Sequence, residues 1–218
     1  MSLPSVPRPY RRSEQTVDRY LHLAGLAAGA VGSAALVSSA AARESGLMIG
    51  SVAVYGVGLV GMIGASALYN SASSARRREW LRRFDHAAIF FMIAGTYTPF
   101  TLVCMGGAWG FGIALFVWLV ALAGIALKLL APHRLDGVST PLYLALGCVI
   151  LVALGPFLAE VPRTAVILLV IGGLLYSFGI IFHLWQRLPY HNAIWHAFVF
   201  TAAACHWVAV LDGVVRTA

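Results

Sequence analysis

Residues 82–100, RRFDHAAIFFMIAGTYTPF, set two arginines, an aspartate and a histidine at the mouth of an otherwise apolar run. With the residues that follow, the run is long enough to cross a bilayer as a helix rising 1.5 Å per residue. A carboxylate at mid-bilayer costs roughly 2.5–3.5 kcal/mol on insertion scales, and less near the surface. Asp85 is therefore affordable at the mouth of a span, and an ionisable residue in that position is a functional-site candidate. Further in, Pro99 follows Gly95-Thr96-Tyr97-Thr98. A local kink is expected there, with the threonines placed to satisfy carbonyls that the proline leaves without a donor.

Working outward, six more apolar stretches flank this one, giving spans near 20–42, 47–70, 83–104, 108–130, 139–159, 164–184 and 193–214. Each holds about 20 residues, enough to cross a hydrocarbon core of about 30 Å. The 218-residue chain is 60% hydrophobic and 11% charged, against about 25% charged in an ordinary soluble domain, so lipid is its expected solvent. Continuous rather than alternating apolar runs argue against a closed barrel and predict an all-α bundle of seven transmembrane helices. Small residues four apart, Gly25 and Gly29, Gly61 and Ala65, Gly173 and Ser177, are expected to mark close helix contacts.

Basic residues set the expected orientation. Arg8, Arg11, Arg12 and Arg19 precede the first span, Arg76 to Arg78 with Arg82 and Arg83 follow the second, Lys128 and Arg134 the fourth, and Arg187 the sixth. All of these share one side, leaving Arg43, Arg163 and Arg216 on the other. The positive-inside rule puts the N-terminus in the cytoplasm and the C-terminus outside, in a multi-pass protein of the cell membrane, expected to be the bacterial inner membrane. Residues 1–19 read as a polar cytoplasmic tail rather than a signal peptide, and 20–218 as the membrane domain. Because the basic excess lies between spans, it points to membrane lipid and not to nucleic acid. Cys104, Cys148 and Cys205 lie in or near apolar segments without CxxC spacing and read as packing residues.

This topology brings three helix ends to one side. The second span ends Ser66-Ala67-Leu68-Tyr69-Asn70, the third opens on Asp85-His86, and the seventh opens on His191-Asn192-Ala193-Ile194-Trp195-His196. Ser66 and Asn70 share a helical face, as do Asn192 and His196. If these helices pack together, they line one polar cavity open to the cytoplasm. His22 reads as a packed or hydrogen-bonded residue of the first span. His206, ten residues beyond His196 and so about 15 Å further along the helix, reads as a histidine hydrogen-bonded inside the bundle.

From the first span to His206 the chain resembles the haemolysin III branch of the progestin and adipoQ receptor family, which includes the adiponectin receptors. RRFDHAAIFFMIAGTYTPF resembles the family's third-helix signature, SALYN its S-x-x-x-H motif, and NAIWHAFV its H-x-x-x-H motif. The resemblance implies a zinc ion near the cytoplasmic face, held by one histidine from the first motif and two from the second. The third-helix aspartate would hold the metal-bound water. Ser66, Asp85 and His196 match this pattern. Asn70 and Asn192 stand where two of the three histidines belong.

A neutral amide is a weak zinc donor, and His196 with Asp85 alone would not hold the ion tightly. His86 and His191 sit beside the expected positions, each about 100° round its helix. The cofactor is therefore left unknown, with zinc weakened as an expectation. A metal-free hydrogen-bonded cluster of Asn70, Asp85, Asn192 and His196 is the alternative. Three functions follow from the resemblance: lipid sensing or membrane homeostasis, with a lipid or fatty acid as ligand; zinc-dependent hydrolysis of lipid amides, as in ceramidases, with Asp85 and Ser66 as catalytic candidates; and pore formation, which rests on the family name.

Overall fold

Two of the helix starts are set by serine caps, and one chain reversal falls on a glycine pair. The computed structural model describes residues 11–135 and 137–217. Its helices are α1 (Arg12–Ala41), α2 (Gly46–Asn70), α3 (Ala75–Met105), α4 (Gly107–Leu130), α5 (Ser139–Glu160), α6 (Arg163–Leu184) and α7 (His191–Val215). Ser45 and Ser74 cap α2 and α3, accepting from the Met48 and Arg77 amides at 3.4 Å each. Between α3 and α4 the chain reverses at Gly106 and Gly107, whose φ values of 55° and 53° suit glycine. All seven helices are long and apolar enough to cross a membrane, and no strand occurs among the described residues.

The expected tail is shorter than polarity suggested. α1 begins at Arg12, so residues 12–19 form its first two turns. Glu14, Asp18 and His22 lie four apart on one face and are buried, while Arg12 and Arg19 are exposed. Residues 1–10 lie outside the described residues, and the tail expectation for them with them.

Three spans depart from regular geometry, α7 by finishing in a π-helical stretch over Leu211–Val215. Pro99 has no amide to give the preceding turn, and from Phe100 to Met105 the helix widens into π turns instead of ending. Thr98 and Thr101 donate to the Ala94 and Tyr97 carbonyls at 2.8 Å each, whereas the carbonyl that Pro99 deprives of its usual donor is that of Gly95. α5 is α-helical over Ser139–Gly147 and Leu154–Glu160, with a 3₁₀ stretch over Val149–Ala153 between. The Tyr97 hydroxyl of α3 serves this break, donating to the Gly147 carbonyl at 2.8 Å and accepting from the Ile150 amide at 3.1 Å.

Helices adjacent in sequence pack side by side from α1 to α4, α5 lies against α3, and α6 packs on α7. α7 returns to α1, which brings the first and last helices together. Leu36, Val52, Tyr55, Leu59, Val199 and Val210 fill the core between α1, α2 and α7. Outward-facing apolar residues such as Val31, Phe111 and Leu119 are well exposed, as lipid contact requires. Of the small-residue pairs, only Gly25 and Gly29 sit in a tight seam: a Cβ there would meet Phe200 at 3.2 Å and Ile63 at 3.3 Å. Gly61 and Gly173 face open space. On α6 the seam runs instead through buried Gly172 and Gly179, against His206 and Trp195.

Candidate functional site

Four helices deliver polar side chains to one end of this bundle. α1 supplies Asp18 and His22 from adjacent turns, α2 supplies Ser66 and Asn70 from its last turns, α3 supplies Asp85, and α7 supplies His196 from its second turn. Asp18, His22 and His196 are all buried. The His196 Nδ1 lies 2.5 Å from Asp18 Oδ1 and donates to it. His22 Nδ1 lies 2.8 Å from the Asp18 carbonyl oxygen and 3.6 Å from its carboxylate. The two imidazoles meet edge to face, with centroids 4.3 Å apart.

Ser66 is the hub on the other side. Its hydroxyl lies 3.1 Å from His22 Nε2 and 3.4 Å from His196 Nε2. Asp85 is a further hydrogen-bonding neighbour of Ser66 and an electrostatic neighbour of His196. Asn70 donates through Nδ2 to the Ser66 carbonyl at 3.0 Å and to its hydroxyl at 3.3 Å, which fixes the serine rotamer. Phe200 lies on the core side, 5.5 Å from the His22 ring and 6.2 Å from the His196 ring between centroids.

This arrangement has more acceptors than protons. When both Nδ1 atoms carry a hydrogen, each Nε2 is a bare lone pair. His22 Nε2, His196 Nε2 and the Asp85 carboxylate then converge on one hydroxyl with a single proton. Such a surplus calls for an extra proton or a cation. One carboxylate oxygen and one nitrogen from each histidine lie within 4.8 Å of one another across Asp18, His22 and His196. Carboxylate and imidazole are ordinary zinc donors, and three protein ligands are the usual catalytic number. The residues present therefore fit a zinc ion, with a ligand set different from the one the motifs imply.

Of the residues singled out in the sequence, the structure brings Ser66, Asn70, Asp85 and His196 together. His191 and Asn192 are half-buried at the first turn of α7, one turn nearer the end of the bundle than His196. The His86 side chain instead lines a small cleft with Arg82, Arg83, Lys128 and Pro132, and its carbonyl accepts from Tyr143 at 2.9 Å. His206 is held inside the bundle by the Leu169 carbonyl at 3.2 Å. Asp18 is the residue that sequence reasoning missed. Its signal was the D-x-x-x-H spacing to His22 at the start of the first helix.

Comparison with known proteins agrees with the helical architecture. A family model described as haemolysin-III related matches residues 10–207. The chain is 38% identical to the "Hemolysin-3 homolog" of Bacillus subtilis (strain 168) over 176 residues, which is 81% of this chain and 83% of that one. It is 38% identical to "Hemolysin-3" of Bacillus cereus over 165 residues, 76% of this chain and 75% of the relative. A more distant relative is the human "Monocyte to macrophage differentiation factor", 29% identical over 175 residues, 75% of this chain and 70% of that one. No solved structure matches the chain. With seven membrane-spanning helices and a family match along nearly its whole length, the chain belongs to the haemolysin III-related family of multi-pass membrane proteins.

Proposed function

We propose that this protein acts on membrane lipid through a zinc site formed by Asp18, His22 and His196, and that the reaction its residues suit is hydrolysis of a lipid amide. The observation that supports this is the buried convergence of three donor atoms within 4.8 Å, with lone pairs in excess around them. Bound zinc would supply a Lewis acid and an activated water. Asp85 is placed to accept a proton, and Ser66, held by Asn70, positions it. Phe200, packed tightly against Gly25, covers both imidazoles with an apolar ring. On the positive-inside reading of the basic residues, this end faces the cytoplasm, with lipid headgroups within reach.

Lipid sensing or membrane homeostasis without turnover is the second reading, and the Asp18–His196 contact of 2.5 Å favours it. If His196 carries both protons, it pairs with Asp18 through one and gives the other to Ser66. The cluster then gains one of the protons it lacks and ties α1, α2, α3 and α7 together. Zinc analysis of the purified protein in detergent separates the two, with one tightly held ion per chain expected. Fatty-acid release from ceramide-like amides, lost in Asp85→Ala, is the activity expected. Zinc bound without turnover would leave a metal-holding sensor, and no bound zinc would defeat the metal site itself.

A further inference from the structure

At the far end of α1, some 20 residues and about 30 Å from the site just described, α1 and α7 diverge around a groove of about 400 Å³. That volume is within the range of about 300–1,000 Å³ typical of small-molecule sites. Its walls are Ala35, Ser39 and Ala42 from α1, and Trp207, Leu211 and Val215 from α7. Its mouth holds two guanidiniums, Arg43 just beyond the end of α1 and Arg216 just beyond the end of α7. These are two of only three basic residues on this side of the chain. Arg43 Nη2 lies 3.4 Å from the Arg216 carbonyl oxygen, so the Arg43 side chain reaches across the mouth to the end of α7.

Neither arginine is firmly neutralised by protein. Asp212 approaches Arg216 only at 3.9 Å, and the Arg216 side chain is 64% exposed. The other Asp212 oxygen is held by Thr164 at 2.6 Å. Glu44 borders Arg43 and is exposed. A mostly apolar groove between two spans, with two arginines at its mouth, matches one molecule of the surrounding bilayer. Its acyl chain would lie against Trp207 and Leu211, and its phosphate would meet the arginine forks. We propose that this groove holds an anionic phospholipid. The proposal rests on no part of the zinc reading.

The test uses full-length protein in detergent, with bound lipid counted by native mass spectrometry. Phosphatidylglycerol and phosphatidylcholine of identical chains are added in parallel. The expected result is one retained phosphatidylglycerol, preferred on the order of tenfold over phosphatidylcholine. Arg43→Gln/Arg216→Gln should abolish that preference. Arg76→Gln/Arg77→Gln/Arg78→Gln, which removes more charge from the other end, should keep it. Ser39→Phe fills the groove while leaving both arginines, and it should also release the lipid. Equal retention of the two lipids, loss in the triple variant but not the double, retention in Ser39→Phe, or displacement by inorganic phosphate would each overturn the proposal.

Discussion

Asp18→Asn isolates what the charge on Asp18 contributes, because the amide keeps the side chain's shape and one acceptor oxygen. In the structure Asp18 makes a 2.5 Å hydrogen bond to His196 and is one of three candidate zinc donors. Outer-shell partners of metal ligands typically cost 10–100-fold in affinity when removed, so losing a ligand should cost at least about 100-fold. With zinc held at 100 times the wild-type Kd, bound metal stabilises the folded protein by about 2.7 kcal/mol. At a 100-fold weaker Kd that falls to about 0.4 kcal/mol. The difference, roughly 2.3 kcal/mol, corresponds to a drop of about 5–9 °C in Tm for a chain of this size. Thermal unfolding in detergent, with and without a chelator, measures it alongside zinc content. The expected outcome is a wild-type Tm that falls on chelation, and an Asp18→Asn Tm that starts low and moves little. If Asp18→Asn still holds one zinc per chain, or if the chelator leaves wild type unmoved, the metal site is refuted. A fall in Tm that ignores the chelator would instead support the protonated Asp18–His196 pair.

Other tests reach the rest of the fold. Asn70→His in the Asp18→Asn background should recover zinc binding to within about tenfold of wild type, because residue 70 is one hydroxyl away from both imidazoles; zinc titration checks this. Gly124→Ala should lower stability by about 1–3 kcal/mol, since its Cβ would meet the buried Phe90 ring at 2.6 Å, whereas Gly61→Ala on an open surface should be neutral or stabilising. Comparing their unfolding temperatures is sufficient. Tyr97→Phe should cost about 1–3 kcal/mol by leaving the Ile150 amide and the carbonyls of the α5 break without their hydroxyl, and hydrogen exchange should rise at Gly147–Ala153.

The spans were readable because lipid demands it. A helix in hydrocarbon must satisfy its own backbone and present apolar side chains for about 20 residues, and both demands are written locally. Ser66, Asp85 and His196 were readable for a related reason: each interrupts an apolar run at a comparable depth. Asp18 was not, because it precedes the apolar window in a stretch whose arginines read as a solvated tail. Only the four-residue spacing of Glu14, Asp18 and His22 distinguishes a buried polar face there. The α6 seam was misplaced by one residue, from Gly172 to Gly173, which is a 100° turn of the helix. On a helix apolar all round, no local pattern says which face meets protein and which meets lipid. The break in α5 depends on Tyr97 from another helix, and so on packing rather than on its own residues.

The charge of the cluster explains why two asparagines and a zinc ion are compatible. Asp18 and Asp85 both neighbour His196, and with neutral imidazoles they bring two negative charges to one place of low dielectric. Protonating one histidine removes half of that charge, whereas a divalent cation removes all of it. Histidines at 70 and 192 would add lone pairs but no charge. Asparagines there leave coordination to the three donors already converging, and Asn70 keeps its hydrogen bonds for Ser66. On the zinc reading proposed above, the two carboxylates would balance a doubly charged cation held by the three donors. Replacing Asp85 by Asn should weaken zinc binding even though Asp85 is not among the three donors. Replacing Asn192 by Ala should not.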